Sequence, residues 1–214
     1  MKLEKYLPLI RNLPYLDQAF ETKQSNWLRE CEKDNQFMQF CQRTFIESSL
    51  KLSRQDLFSA VLGDRYTAII LIIFWGYPRN MRGNNFRNIL MSIPDIQKII
   101  PLNGILTKDE FVRANRKLKG KSIGLSTLSK ILYFFQVKIE EQLCLILDQR
   151  IIQVLNNGLY EELASLKMIN EYNKVELYFE YLIQMNDTAN RLNLMPDQLE
   201  YFLFHFGKNL KNML

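Results

Sequence analysis

Turn-forming residues are scarce in this chain: 214 residues carry only 8 Gly and 6 Pro. A many-stranded sandwich needs frequent tight turns, so the scarcity points towards helices joined by short loops. Cysteine is scarcer still. Cys31, Cys41 and Cys144 are odd in number and contain no close pair. That argues against a disulfide framework and cannot supply a four-thiolate iron–sulfur cluster. The single histidine, His205, cannot build a multi-histidine zinc site, and Cys31 and Cys41 lack zinc-ligand spacing. The expectation is three buried apolar thiols in a reducing cytoplasm, with no metal and no cofactor. Long apolar runs are missing too. The most apolar stretch, Thr67 to Trp75, is far too short to cross a bilayer and reads as a buried core helix. Charged and polar residues break the N-terminal region before any signal-peptide core forms. The reading is a cytoplasmic monomer without a membrane partner.

What is present is an ordinary globular balance, 47% hydrophobic and 24% charged, with an uneven distribution of charge. From Arg79 to Lys121 ten basic residues face three acidic ones, a local net of +7 that leaves −2 for the remainder. A local basic excess is what a polyanion-binding face needs, although a solvated helix face is the plainer reading of a charge cluster.

Periodicity and punctuation then divide the chain. Residues 1–52 read as two or three N-terminal helices, and 53–214 as the core, the whole forming one all-α domain of two lobes sharing a cleft. Ser53-x-x-Asp56 and Thr107-x-x-Glu110 are helix-start signals. A helix resumes at Phe86, Ile89 and Leu90, and Ser92-Ile93-Pro94-Asp95 opens another. Phe111, Ala114 and Leu118 recur at helical spacing. Lys119-Gly120-Lys121-Ser122-Ile123-Gly124 is a glycine-containing hairpin near 119–126, after which Ser126 is placed to cap a helix from Thr127 to Phe135. Further helices are expected over Leu143–Leu155, stopped by Asn156-Asn157-Gly158, over Glu171–Leu192, and over Asp197–Met213.

A hairpin that presents backbone N–H groups at a helix start makes an anion nest for a phosphate, with Lys119 and Lys121 flanking it and Gly120, Ser122, Gly124 and Ser126 shaping it. Taken alone it is a common helix connector. The residues C-terminal to the hairpin strengthen the signal. Gly124 to Phe134, with Lys130 in an apolar helix, leads eighteen residues on to Leu147-Asp148-Gln149-Arg150. With Phe74-Trp75-Gly76-Tyr77-Pro78, Arg82-Gly83-Asn84 and Leu199 to Phe204, this segment resembles the helix-hairpin-helix DNA glycosylases. The likeness is to the branch of microbial 8-oxoguanine-glycosylase-like proteins and covers roughly residues 55–210.

The resemblance implies a lysine nucleophile at Lys130, an essential aspartate at Asp148 and double-stranded DNA as the partner. Two departures stand out. Ser122 occupies the place of the first glycine of the commoner L-P-G-x-G hairpin. In better-known members the lysine lies two residues after the hairpin glycine, where this chain has Ser126; that register would make the enzyme monofunctional, with Asp148 activating water. The chemistry suits the residues. Breaking an N-glycosidic bond develops oxocarbenium character that a carboxylate stabilises. An amine that attacks C1′ forms a Schiff base and permits strand cleavage, and burial favours its neutral, nucleophilic form. A flipped base needs an aromatic pocket; Trp75, Tyr77, Tyr133, Phe134 and Gln149 are candidates, with Arg79 and Arg82 for phosphate or the orphaned base. The expected activity is excision of an 8-oxoguanine-like purine or of a modified base in foreign DNA. The alternatives are a non-enzymatic DNA-binding module and a protein-interaction domain.

Overall fold

The computed structural model describes residues 1–207 and 209. It is mostly helical. In chain order the elements are α1 (Leu7–Arg11), β1 (Ala19–Lys23), α2 (Leu28–Cys31), α3 (Asn35–Thr44), β2 (Ser49–Ser53), α4 (Arg54–Ala60), α5 (Arg65–Gly76) and α6 (Asn85–Ile99). Then come β3 (Ile105–Leu106), α7 (Lys108–Lys119), α8 (Leu125–Phe134), β4 (Lys138–Ile139), β5 (Gln142–Leu143), α9 (Gln149–Asn156), α10 (Tyr178–Arg191) and α11 (Pro196–Phe206). No helix among the described residues is long and apolar enough to cross a membrane.

The chain divides into two compact units, and the division is not a cut at one point. The first unit joins 1–15 to 101–117 and 124–214; the second comprises 16–100 and 118–123. In the second unit, α5 is the core helix that the apolar run 67–75 predicts, and Ala68 to Trp75 are buried except Leu71. Asp64 starts it by accepting from the Thr67 N–H at 2.8 Å. Around Phe74 gather the rings of Trp27, Phe37, Phe40, Phe45 and Phe86. In the first unit, Phe111 of α7 stacks on Tyr178, and Tyr6, Tyr160 and Phe202 form a second aromatic group. The two sequence-predicted capping boxes form: Ser53 with Asp56, and Thr107 with Glu110. All three cysteines are buried and free.

Several boundaries differ from the sequence reading. The N-terminal region holds an antiparallel β1–β2 pair besides its helices, with Phe20 opposite Leu52. Pro94 lies inside α6 rather than at the start of a new helix. The buried face of Phe86, Ile89, Leu90, Ile93 and Ile96 runs through the proline and outweighs its missing hydrogen bond. The helix expected from Glu171 begins only at Tyr178. Asn170 Oδ1 accepts from the Tyr172 and Asn173 amides and Asn173 Oδ1 from the Asn170 amide, a reciprocal cap. Residues 171–177 then run as turns, with Lys174 and Leu177 donating to the Asn170 and Asn173 carbonyls, before regular helix starts. Residues 143–155 are not one helix: 142–143 are a short strand, 144–147 run on without helical structure, and α9 starts after Asp148. Ser126 does not cap α8. Gly124 is its N-cap, with φ −82° and ψ 173°, and Ser126 lies in the first turn. The last helix ends at Phe206; residues beyond 209 lie outside the described ones.

Candidate active site

The connection from α7 to α8 is a turn closed by its own backbone. Lys121, Ser122 and Ile123 donate their N–H groups to Leu118, Lys119 and Leu118 carbonyls at 2.8, 3.0 and 3.0 Å. Ser122 takes φ +63°, the left-handed region that glycine enters freely and serine does not. The position that the resemblance assigns to a hairpin glycine is therefore one where this backbone takes the conformation that favours glycine. Lys119, Ser122 and Gly124 are exposed, and the Lys121 ammonium pairs with the Asp95 carboxylate. Arg79 and Arg82 are exposed in the loop after α5 and belong to the same unit as Lys119 and Lys121.

Along α8 the residues from Thr127 to Phe134 are buried, Lys130 among them at 5% exposure. Its Nζ donates to the Ser126 carbonyl at 3.1 Å and to the Ser126 hydroxyl at 3.0 Å. Helical side chains lean towards the N-terminus, so a lysine reaches the residue one turn before it. The two positions at which the resemblance would put the lysine thus meet: Lys130 Nζ sits against Ser126.

Asp148 is reached through the segment 144–147. Its four side chains, Cys144 to Leu147, are buried. The Cys144 N–H donates to the Val137 carbonyl at 2.9 Å. Tyr178 and Tyr181 of α10 donate their hydroxyls to the Leu145 and Ile146 carbonyls at 2.6 and 2.9 Å. The Leu147 N–H donates to the Ser129 hydroxyl of α8 at 3.2 Å. Burial pushes the Cys144 thiol up to about 12 and the Tyr178 hydroxyl well above its ordinary value, so Tyr178 remains a donor at neutral pH. Asp148 then caps α9: its Oδ1 accepts from the Arg150 and Ile151 amides at 2.9 and 3.1 Å, while Oδ2 has no hydrogen-bond partner among the described residues. The carboxylate is half-buried at the start of α9.

The pocket candidates separate by exposure. Trp75 is buried in the second unit, its Nε1 donating to the Gln18 carbonyl at 3.2 Å and its ring meeting Phe20 edge-on. Tyr133 and Phe134 are closed to solvent, with the Tyr133 hydroxyl 3.2 Å from the carboxylate of buried Asp197. Tyr77 is half-buried at the end of α5 and Gln149 is exposed at the start of α9. His205 is half-buried among Tyr201 and Phe204, and Arg150 lies over the Phe204 ring. Among the described residues no group of histidine, cysteine and carboxylate side chains could hold a metal ion.

Sequence reading missed Ser129, Tyr178 and Tyr181. The available signal was the three-residue spacing of the two tyrosines on one helix face and the place of Ser129 next to Lys130. Neither spacing says what the hydroxyls touch.

A family model described as "Putative 8-oxoguanine DNA glycosylase OGG-like protein" matches residues 14–204, most of the chain. The chain belongs to this OGG-like family. No curated protein and no solved structure matches it. The family match spans the α7–α8 turn, Lys130, the segment 144–147 and Asp148. It also takes in part of the N-terminal region, whose residues carried none of the resemblance drawn from sequence. The mostly helical fold agrees with an OGG-like chain.

Proposed function

We propose that this OGG-like chain is a DNA glycosylase that takes a modified purine out of duplex DNA and cleaves its N-glycosidic bond, with Lys130 as nucleophile and Asp148 as the carboxylate. The observation that carries the reading is the chemical pair on one unit. Lys130 is an amine seated in an apolar helix, and Asp148 is a carboxylate held by one oxygen and open at the other. Neither arrangement serves solubility, and a buried amine is costly to keep without a use.

In this reading the Lys130 Nζ lone pair attacks C1′ while the glycosidic electrons leave with the base. The departing base takes up a proton as the amine loses one, and the Asp148 carboxylate stabilises positive charge at the sugar. Opening of the sugar leaves an imine that hydride reduces, and loss of a C2′ proton from that imine expels the 3′-phosphate, the lyase step. The first turn of α8, with Gly124 and Ser126, offers backbone N–H groups for a DNA phosphate, and Lys119, Gly120, Lys121 and Ser122 precede it in the chain as further candidates for contact with DNA. Arg79 and Arg82 add positive charge for the backbone. Of the side chains considered for contact with the base, Tyr77 in the second unit and Gln149 in the first are each not buried, whereas Trp75 and Tyr133 are buried and would act by supporting neighbours.

Borohydride trapping on duplexes bearing 8-oxoguanine opposite cytosine, alongside a panel of other modified bases, tests the reading. The wild type is expected to excise base and give a trapped complex. Lys130→Gln is expected to remove the complex, and Asp148→Asn to slow excision by at least about 100-fold while DNA affinity holds, because the carboxylate acts on the transition state. Excision at the original rate by Lys130→Gln but not by Asp148→Asn would mean a monofunctional enzyme in which Asp148 activates water. Full activity in both variants would sink the assignment.

A further inference from the structure

The segment 144–147 is a buried piece of backbone that neither a helix nor an internal strand supports. Its polar groups are met by side chains instead: Leu145 O by Tyr178, Ile146 O by Tyr181, and Leu147 N–H by Ser129, with one backbone bond from Cys144 to Val137. Three hydroxyls from two helices therefore take three consecutive residues, and the next residue is Asp148. Ser129 immediately precedes Lys130 on α8. Its hydroxyl also lies 3.4 Å from the Ser126 carbonyl that accepts from Lys130 Nζ. One serine thus touches both the segment that ends in the carboxylate and the helix turn that seats the amine.

We propose that Ser129, Tyr178 and Tyr181 are positioning residues for the reaction: their hydroxyls clamp the segment and set the Asp148 carboxylate in register with the helix that bears Lys130. The proposal rests on the glycosylase reading above. All three side chains are fully buried, so their part is to hold backbone rather than to touch DNA. Without a hydroxyl, a buried carbonyl or N–H loses its partner and the segment shifts to find another. A shift of about 1 Å at a reacting group can cost about 100-fold in rate.

The test uses the full chain. Ser129→Ala, and Tyr181→Phe as a variant that keeps the ring and removes only the hydroxyl, are compared with wild type and Asp148→Asn. Three quantities are measured: the single-turnover rate of base excision, affinity for the same duplex, and the melting curve. Rates are taken at a temperature where each variant is fully folded. The expected result is a fall of about 10- to 100-fold in the excision rate with DNA affinity within about threefold of wild type. A merely structural role would lower the melting temperature and leave the rate of the folded molecule unchanged. A rate within about threefold of wild type in both variants, with Asp148→Asn inactive, overturns the clamp and leaves the glycosylase reading standing. If Asp148→Asn excises like wild type, or the wild type excises nothing from the panel, both fall together. Should Ser129→Ala not fold, Tyr181→Phe decides by the same criteria.

Discussion

Ser122 shows how a single dihedral carries information. A non-glycine residue in the left-handed region costs roughly 1–2 kcal/mol, and part of that is returned because serine has fewer unfolded conformations than glycine. Ser122→Gly is therefore expected to stabilise the protein by about 0.5–1 kcal/mol, a rise in melting temperature of about 1–4 °C. Thermal unfolding followed by circular dichroism checks it, and a lower melting temperature would show that the serine side chain makes a contact worth more than its strain. Cys144 carries a different message. It is buried, and its thiol is held protonated up to about 12 by desolvation. At about pH 8 iodoacetamide is expected to leave Cys144 unmodified in the folded protein and to label it in urea, as read by peptide mass spectrometry. Labelling at native conditions would show that the segment 144–147 opens readily.

At the scale of elements, helix starts are set by single polar residues, and each is separable by mutation. Asp64 begins the core helix α5, and its carboxyl is held below the usual carboxylate range chiefly by the Thr67 N–H. Asp64→Ala is expected to cost about 1 kcal/mol. The sign with pH follows from the depressed value. The contribution is present above the unfolded aspartate value of about 4 and is lost as pH falls through the lower folded value. The stability gap between wild type and Asp64→Ala, measured by urea unfolding, should therefore be full at about pH 6 and shrink on acidification below about pH 4. A gap that stays constant to about pH 2 would show that the cap acts through something other than its charge. Asp148 is a cap of the same kind, yet it keeps Oδ2 without a bond among the described residues. Asp148→Asn retains a capping oxygen, so a loss of activity in that variant speaks for chemistry rather than for unfolding of α9.

For the whole molecule the decisive quantity is where the positive charge is left uncommitted. Arg79, Arg82 and Lys119 are exposed, whereas Lys121 is already paired with Asp95. If about four phosphates are neutralised, the logarithm of the binding constant should fall with the logarithm of salt at a slope of about −3.6. Lys119→Ala is expected to weaken binding and reduce the slope by about 0.9, and Lys121→Ala to do less. Asp95→Asn, which releases Lys121, is expected to tighten binding. Fluorescence anisotropy on one undamaged duplex between about 50 and 200 mM salt measures all three. Equal losses for the two lysine variants would mean that the Asp95 pair opens on DNA.

The sequence by itself determined what depends on neighbours along the chain. It determined the core helix from the run 67–75, the helix starts at Ser53 and Thr107, the stop at Asn156-Asn157-Gly158, and, through motif order, the family that the match over 14–204 shows. Those features are local: a period, a side chain three residues from an amide, a spacing. Tertiary structure decided the rest. Residues 144–147 are as apolar as a helix core, and it is the hydroxyls of Tyr178, Tyr181 and Ser129, with the Val137 carbonyl, that meet their polar groups in place of a helix. Ser126 reads as a cap, and only the fold makes Gly124 the N-cap and turns Ser126 into the acceptor for Lys130. Trp75 reads as a pocket candidate although such an aromatic is more often core, and its burial, with Phe20 and the Gln18 carbonyl against it, places it in the core. A backbone group must find a partner once it is buried, but which distant side chain supplies that partner is written in the packing and not in the order of residues.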